Sequence, residues 1–255
     1  MARQGEWPVA FFDDDYLKLY ARVLTDERTA AEVEFIAAAL ELQAGERVLD
    51  LACGTGRHAV GMAQRGCDVT GLDFNPRYLE KGAERAARAG VRVTWTCGDM
   101  RSLAFDGAFD AAYSYFTSFG YFSDVENESV IAGLARALRP GGRFLLEVFN
   151  REWLLTHPPQ RNWHERDDGA LHMEEATLDL RSSRVTSRQI LLDPQGGHQV
   201  VKSYELRVYT CAELCALFDR HGLEVRDVWG GIDRSDYTTE SRRLVLVAVR
   251  AGRAA

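Results

Sequence analysis

Gly54 and Gly56 stand between an apolar run, Arg47 to Ala52, and a stretch of helical periodicity that starts near Arg57. Glycines at such a strand-to-helix turn let a ligand approach the backbone and the positive end of the helix. Asp73 closes the next apolar run, where a carboxylate accepts the two hydroxyls of a ribose. Gly98-Asp99-Met100 follows the run after that. It sets a carboxylate and a flexible apolar side chain where an adenine can be held by its amino group and packed on its face. The spacing predicts a nucleoside-type ligand. Gly54-Thr-Gly56-Arg-His-Ala59 also satisfies the dinucleotide pattern G-x-G-x-x-A, so an NAD-dependent oxidoreductase competes. Asp50 tilts the balance, because inside the turn it repels a pyrophosphate and attracts an ammonium.

These residues have to be carried by strands that end together. Short apolar runs alternate with helical stretches, which predicts an α/β, Rossmann-like fold with a parallel sheet covered on both faces. Strands are expected at Arg47 to Ala52, Cys67 to Leu72, Val91 to Cys97, Phe109 to Ser114 and Arg143 to Phe149, the last after the turn Pro140-Gly-Gly142. Helices are expected from Arg57 to Arg65, from Pro76 to a stop at Gly90, and from Glu126 to Leu138. After Asn150 the rhythm changes. Three β-rich stretches, Leu171 to Leu180, Val185 to Leu192 and Gln199 to Val208, predict an antiparallel β insertion, with a turn at Pro194 to Gly197. Thr210 with Glu213 reads as a capping box, and Leu223 to Val228 with Leu244 to Val249 as a hairpin at one sheet edge. Tyr16 to Leu40 reads as helical with a break near Thr25. The domain reading is residues 1–40 as an N-terminal helical lid, 41–149 with 209–255 as the cofactor-binding domain, and 150–208 as an insertion that forms a substrate pocket.

A formal net charge of −7 over 255 residues gives no general attraction to phosphate backbones or anionic lipid, so neither nucleic acid nor membrane is an expected partner. The first twenty residues contain no apolar run of export-signal or membrane-span length, and five cysteines fit reduced thiols in a cytoplasm. Cys211 and Cys215 share a helix face without a matching Cys or His pair nearby, so packing rather than metal is expected there.

In this order and at these spacings the motifs resemble the class I S-adenosylmethionine-dependent methyltransferases. Asp50-Leu-Ala-Cys-Gly-Thr-Gly56 is similar to the family's first motif, Asp73 to its acidic ribose ligand and Asp99 to its adenine ligand. Leu138-Arg-Pro-Gly-Gly-Arg-Phe144 is similar to the turn into its fifth strand, and the resemblance covers roughly Glu46 to Phe149. Ala52 departs from it, standing where the family often has its first glycine. S-adenosylmethionine carries an ammonium and a sulfonium and no phosphate, in keeping with Asp50. The resemblance implies that cofactor and a seven-stranded sheet ordered 3-2-1-4-5-7-6 with the last strand antiparallel. It also implies a cofactor set of Asp50, Ala52, Gly54, Gly56, Arg57, Asp73, Phe74, Asp99, Met100 and Tyr115. Related small-molecule methyltransferases use an aromatic, acidic N-terminus as a lid, from which Tyr16 or Tyr20 would reach the methionine carboxylate, as would Arg57.

The acceptor is expected beyond the carboxyl ends of the strands, beside the aromatic stretch Tyr113 to Tyr121. Phe119, Tyr121, Phe149, Asn150, Arg151, Trp153, Trp163, Arg207 and Tyr209 form the expected substrate set. The stretch lacks the Asn-Pro-Pro-Tyr type motif of enzymes that act on adenine or glutamine amides, which favours a small-molecule acceptor methylated on nitrogen or oxygen. Such a transfer is a direct displacement, accelerated by positioning and desolvation, so a base is optional; His157 is the one named, ahead of His58, His164 and His172. A non-catalytic S-adenosylmethionine-binding protein is a further alternative, and a monomer or a homodimer fits either.

Overall fold

The computed structural model describes residues 11–157, 161–166, 168–194 and 199–252. The Thr25 hydroxyl accepts Arg28 N and breaks the N-terminal helix in two, α1 over Asp14–Tyr20 and α2 over Asp26–Ala39. Strands and helices then alternate as β1 Arg47–Leu51, α3 Arg57–Gln64, β2 Asp68–Asp73, α4 Pro76–Ala89, β3 Thr94–Cys97, β4 Phe109–Ser114, α5 Asp124–Ala137 and β5 Leu138–Phe149. Asn75 caps α4 and left-handed Gly90 stops it, while a Ser123–Glu126 capping box starts α5 earlier than its apolar periodicity suggested. After β5 come α6 Arg151–Thr156, β6 Arg161–Glu165, β7 Leu171–Asp179, β8 Arg184–Leu192, β9 Gln199–Arg207, α7 Cys211–Arg220, β10 Leu223–Trp229 and β11 Arg243–Arg250.

The main sheet runs β3-β2-β1-β4-β5-β11-β10, the expected order with the terminal hairpin supplying its last two strands. β1 to β5 are parallel, and β11 is antiparallel to both of its neighbours. Parallel strands share a carboxyl edge, so Asp50, Asp73 and the segment after Cys97 arrive side by side. The Pro140-Gly-Gly142 turn does not precede β5 but is folded into it: pairing passes from Phe109–Leu138 to Ala111–Arg143, and residues 139–142 stand out of the ladder.

The antiparallel insertion has one strand more than expected, a four-stranded sheet ordered β6-β7-β8-β9. All five residues of β6 are exposed, so this edge strand carries no apolar alternation by which the sequence would reveal it. The turn expected at Pro194 to Gly197 lies, beyond Pro194, outside the described residues. α7 has the expected Thr210–Glu213 capping box, and its Cys211 and Cys215 sulfurs, 3.9 Å apart, pack against the core. Among the described residues no group of three or more His, Cys, Asp or Glu could hold a metal ion, and no helix is long and apolar enough to cross a membrane.

Ile131 and Leu134 of α5 with Leu214 and Phe218 of α7 cover one face of the main sheet; Ile36 of α2 and Met62 of α3 cover the other. A smaller cluster, Leu154, Val185, Leu206 and Val208 with Tyr121, Phe149 and Trp153 against it, fastens the insertion to the sheet edge. One ring fills a cleft between α3, α4 and β2: a Cβ on Gly56, Gly71 or Gly82 would overlap the Trp95 indole. Gly56 also has φ +70°, whereas a Cβ on Gly54 would meet nothing within 4 Å. Gly56 therefore serves packing and Gly54 faces open space. Ala52 takes φ 62°, a left-handed conformation that costs a residue with a Cβ about 1–2 kcal/mol.

Gly56→Ala is expected to destabilise the fold by about 3 kcal/mol, combining overlap with backbone strain, and Ala52→Gly to stabilise it by about 0.5–1 kcal/mol. Urea unfolding of the two variants checks both signs, and an unchanged midpoint for Gly56→Ala would contradict the packing assigned to Trp95.

Candidate active site

The carboxyl ends of β1, β2 and β3 and the loop after β4 enclose a cavity of about 370 Å³ that Phe12, Tyr16 and Leu17 close from the N-terminal side. Asp50, Ala52, Gly54, Arg57, Asp73, Phe74, Asp99, Met100, Tyr115 and Tyr16 of the expected cofactor set line it. Two members do not. Gly56 is turned towards Trp95, and Tyr20 lines a neighbouring cavity. Asp73 accepts Gly54 N at 2.8 Å and Asn75 N at 2.9 Å, which fixes the glycine turn against the end of β2. Burial raises its carboxyl above the usual range despite these donors. Asp99 caps the short turn Met100–Ser102, and the Arg101 guanidinium grips both its oxygens, 2.6 Å at the nearest, holding it below the usual range. Arg101 also bonds Glu126 at 2.6 Å and lies over the Phe122 ring.

Asp50 is 2% exposed, and its Oδ2 has no hydrogen-bond partner. Burial pushes its carboxyl up to about 7, against the opposing influence of the Tyr113 hydroxyl and the Arg57 guanidinium. Arg57, in the first turn of α3, bonds Glu32 and Thr29 through Nη1 and leaves Nη2 buried and unpartnered. The same cavity thus contains an unsatisfied buried acceptor and an unsatisfied buried donor. Each such atom carries a desolvation penalty of about 1–3 kcal/mol. What satisfies both together is an ammonium and a carboxylate on one molecule, the α-carbon end of an amino acid.

Glu32 on α2 is marked in the sequence only by its spacing of four from Arg28. It is 1% exposed and receives Arg28 Nε at 2.7 Å, Arg57 Nη1 and His58 Nε2 at 2.9 Å. Burial alone would raise its carboxyl; the His58 and Arg57 contacts outweigh it and bring it to about 2. Burial lowers His58 to about 4, so the imidazole is neutral near pH 7 and packs edge-on against Tyr115. His58 thereby ties α3 to Glu32 of α2.

A second cavity of about 980 Å³ shares Tyr16, Phe116, Thr117 and Tyr121 with the first. Of the expected substrate set, Tyr121, Phe149 and Trp153 line it. His157 lines it too, stacked on Trp153 at 4.6 Å with Nδ1 bonded to Thr156 Oγ1, its side chain 45% exposed. The other members stand elsewhere. Trp163 alternates with Asn162 and His164, which line the cavity, so it points away and is 72% exposed. Phe119 stacks on Tyr209, whose hydroxyl receives Asn127 Nδ2. Asn150 is fully buried and donates to Thr238 O and Ser241 O; Arg151 bonds Ser183; Arg207 pairs with Glu213. These residues brace the walls. The sequence also gave no hint that Phe116 and Thr117 adopt positive φ, 64° and 54°, or that Glu147 of β5, 2% exposed, accepts Thr117 N and pairs with Arg243.

Residues 48–142 match a family model described as a methyltransferase domain. A demethylmenaquinone methyltransferase of Clavibacter sepedonicus is 40% identical over 108 residues, 42% of each chain. A cypemycin N-terminal methyltransferase of a Streptomyces species is 27% identical over 217 residues, 81% of this chain and 84% of that one. The alignments span about half the length of most of these curated relatives. Among solved structures, the CcbJ methyltransferase of Streptomyces caelestis shares the fold over 95% of this chain and 98% of its own, with a TM-score of 0.82 at 24% identity. The matched residues run from β1 to the turn at Gly142, so the segment that carries Asp50, Asp73 and Asp99 is a methyltransferase domain of the class I S-adenosylmethionine-dependent kind.

Proposed function

We propose that this chain transfers a methyl group from S-adenosylmethionine to a nitrogen or oxygen of a small molecule, with the cofactor in the first cavity and the acceptor in the second. The observation that carries the reading is the pair of buried, unpartnered atoms in one cavity, Asp50 Oδ2 and Arg57 Nη2. In this reading Asp50 binds the ammonium and Arg57 the carboxylate of the methionine end, Asp73 accepts the ribose hydroxyls, and Asp99 with Met100 holds the adenine. When bound, the cofactor supplies a methyl group made electrophilic by its sulfonium. Tyr16, Phe116 and Tyr121, at the junction of the cavities, exclude water and surround a cation with ring faces. Residues 11–40 act as the lid and 150–208 wall the acceptor, since Phe12, Tyr16 and Leu17 reach the first cavity and Glu174, Gln189 and Tyr204 the second. His157 takes a proton only where a hydroxyl acceptor needs one. The name of the cypemycin relative specifies a peptide N-terminus, which supports a nitrogen acceptor. An NAD-dependent reading fits poorly with an unneutralised Asp50 beside the pyrophosphate position.

Calorimetric titration with S-adenosylhomocysteine is expected to show binding by the pure chain; no binding, with normal binding of NAD, overturns the reading. Asp50→Asn is expected to weaken that binding by about 10–100-fold, the worth of a charge-assisted hydrogen bond, while the ligand-free chain becomes more stable to unfolding above about pH 7, where the uncompensated charge is removed.

The pH dependence has a definite sign. Asp50 is raised to about 7 in the free chain, and an ammonium beside it lowers that value. Binding is therefore full above the free value and is lost as pH falls through it, by up to about tenfold per pH unit. The ligand's own amino group, a free amino acid's and so more basic than a peptide terminus, limits the other side. Affinity for S-adenosylhomocysteine is expected to rise through about pH 7 and to fall again only at more alkaline pH, with proton uptake or release visible in buffers of different ionisation enthalpy. In Asp50→Asn the acid limb should vanish.

A further inference from the structure

Among the described residues lining the second cavity, one is acidic: Glu174, on β7. Several arginines share the lining, but Arg28, Arg166 and Arg243 are each paired with a carboxylate outside it, Glu32, Asp168 and Glu147. Arg242 lies over the Trp153 ring, and Arg22, the remaining arginine of the lining, is engaged as well. Glu174 is half-buried, and its Oε1 accepts Ser187 Oγ at 3.1 Å and Gln189 Nε2 at 3.4 Å. It has no ion-pair partner among the described residues. His172 does not neutralise it near pH 7, because burial and the adjacent His164 hold His172 below its ordinary value.

The position of Glu174 along the cavity follows from the strand register. Trp153 and Leu154 pack beside Ala176 and Val185, which marks one end. Glu174 pairs with Gln189 further along the same two strands, and Gln189 Nε2 donates to the Tyr20 hydroxyl at 2.8 Å. The Tyr20 ring is 4.6 Å from Tyr16 and 6.1 Å from Phe116, two of the side chains common to both cavities. Glu174 therefore stands at the end nearest the first cavity. Tyr16, Tyr20, Tyr121 and Tyr204 supply ring faces around it. A partly desolvated anion without a counter-charge, set among aromatic faces, is complementary to a cation that can also donate hydrogen bonds.

We infer that the methyl acceptor is an amine, received as its ammonium form by Glu174, rather than an alcohol or a phenol. The inference rests on the methyltransferase reading and narrows it to one acceptor class. Glu174 holds and orients the nitrogen beside the junction of the two cavities, and the Ser187 and Gln189 donors keep its carboxylate in place; one ammonium proton passes to solvent before the freed lone pair takes the methyl group as the S–C bond breaks.

Benzylamine and benzyl alcohol, two probes of one shape, are titrated into the chain saturated with S-adenosylhomocysteine and followed by saturation-transfer NMR at pH 7.5. The amine is expected to bind at least about tenfold more tightly than the alcohol, and Glu174→Gln to abolish that preference while binding S-adenosylhomocysteine as the parent does. Equal affinities in the parent, or a preference that survives in Glu174→Gln, overturn the inference. Should Glu174→Gln fail to fold, the parent's ratio decides alone, a tenfold preference supporting the inference and unity overturning it. The S-adenosylhomocysteine titration on the same samples keeps this outcome separate from a failure of the methyltransferase reading.

Discussion

A carboxylate buried at the end of a central parallel strand, with one of its oxygens unpartnered, is the constraint around which the site is arranged. β1 has β2 on one side and β4 on the other, so no water reaches Asp50 through the sheet. Leaving such a group charged and alone costs several kcal/mol, about the scale of a small domain's whole stability. The nearest cation is turned away from relieving it. Arg57 is drawn instead to Glu32, which also takes Arg28 and His58 and is itself fully satisfied. The N-terminal helix α2 thus keeps the cavity polarised, with an acceptor lacking a donor and a donor lacking an acceptor. A zwitterionic ligand removes both deficits at once.

The segment that covers this cavity is tied to both of its neighbours. Asn75 caps α4, gives its N–H to Asp73, and donates its side-chain amide to Phe12 O at 2.7 Å. Tyr78 bonds Asp13 O from the same helix. On the other side Asp13 pairs with Lys202 of β9, Tyr20 with Gln189 of β8, and Arg166 with Lys18 O. Residues 11–20 therefore reach Asp73 through Asn75 and the antiparallel insertion through Lys202, Gln189 and Arg166. Movement of this segment has to break bonds to both.

Much of this was legible in the sequence. The parallel sheet, the Thr210–Glu213 capping box and the strand-end aspartates follow from local periodicity and turn chemistry, which act over a few residues, whereas the strand order is implied by the family resemblance and the Ser123–Glu126 box lies ahead of the apolar periodicity. β6 was not, because an edge strand with both faces wet has no alternation to read. Nor was Glu32, whose partner Arg57 is 25 residues away, nor Arg101, which covers a carboxylate two positions before it. The expected substrate residues show the same limit from the opposite direction. Asn150 directly follows β5, as an acceptor-facing residue would, yet its amide turns back to hold residues 238–241. Nearness to a strand end is written in the sequence; the face a side chain takes is decided by long-range packing.

The reversed last strand illustrates how such packing reaches the chemistry. Phe116 and Thr117 are consecutive left-handed residues, a conformation that costs about 1–2 kcal/mol at each. They hold it because Glu147 accepts Thr117 N at 3.1 Å and Arg243 bonds Thr117 Oγ1 at 2.8 Å. Glu147 is buried on β5, and it stays ion-paired because antiparallel pairing sets Arg243 opposite Phe149 and Val245 opposite Glu147. A parallel strand in that place would begin at the other end of β5 and bring its first residues to the wrong edge. The antiparallel β11 thus delivers the cation that pins the strained loop, and the loop sets the Phe116 ring between the two cavities and beneath the Arg28 and Arg57 guanidiniums.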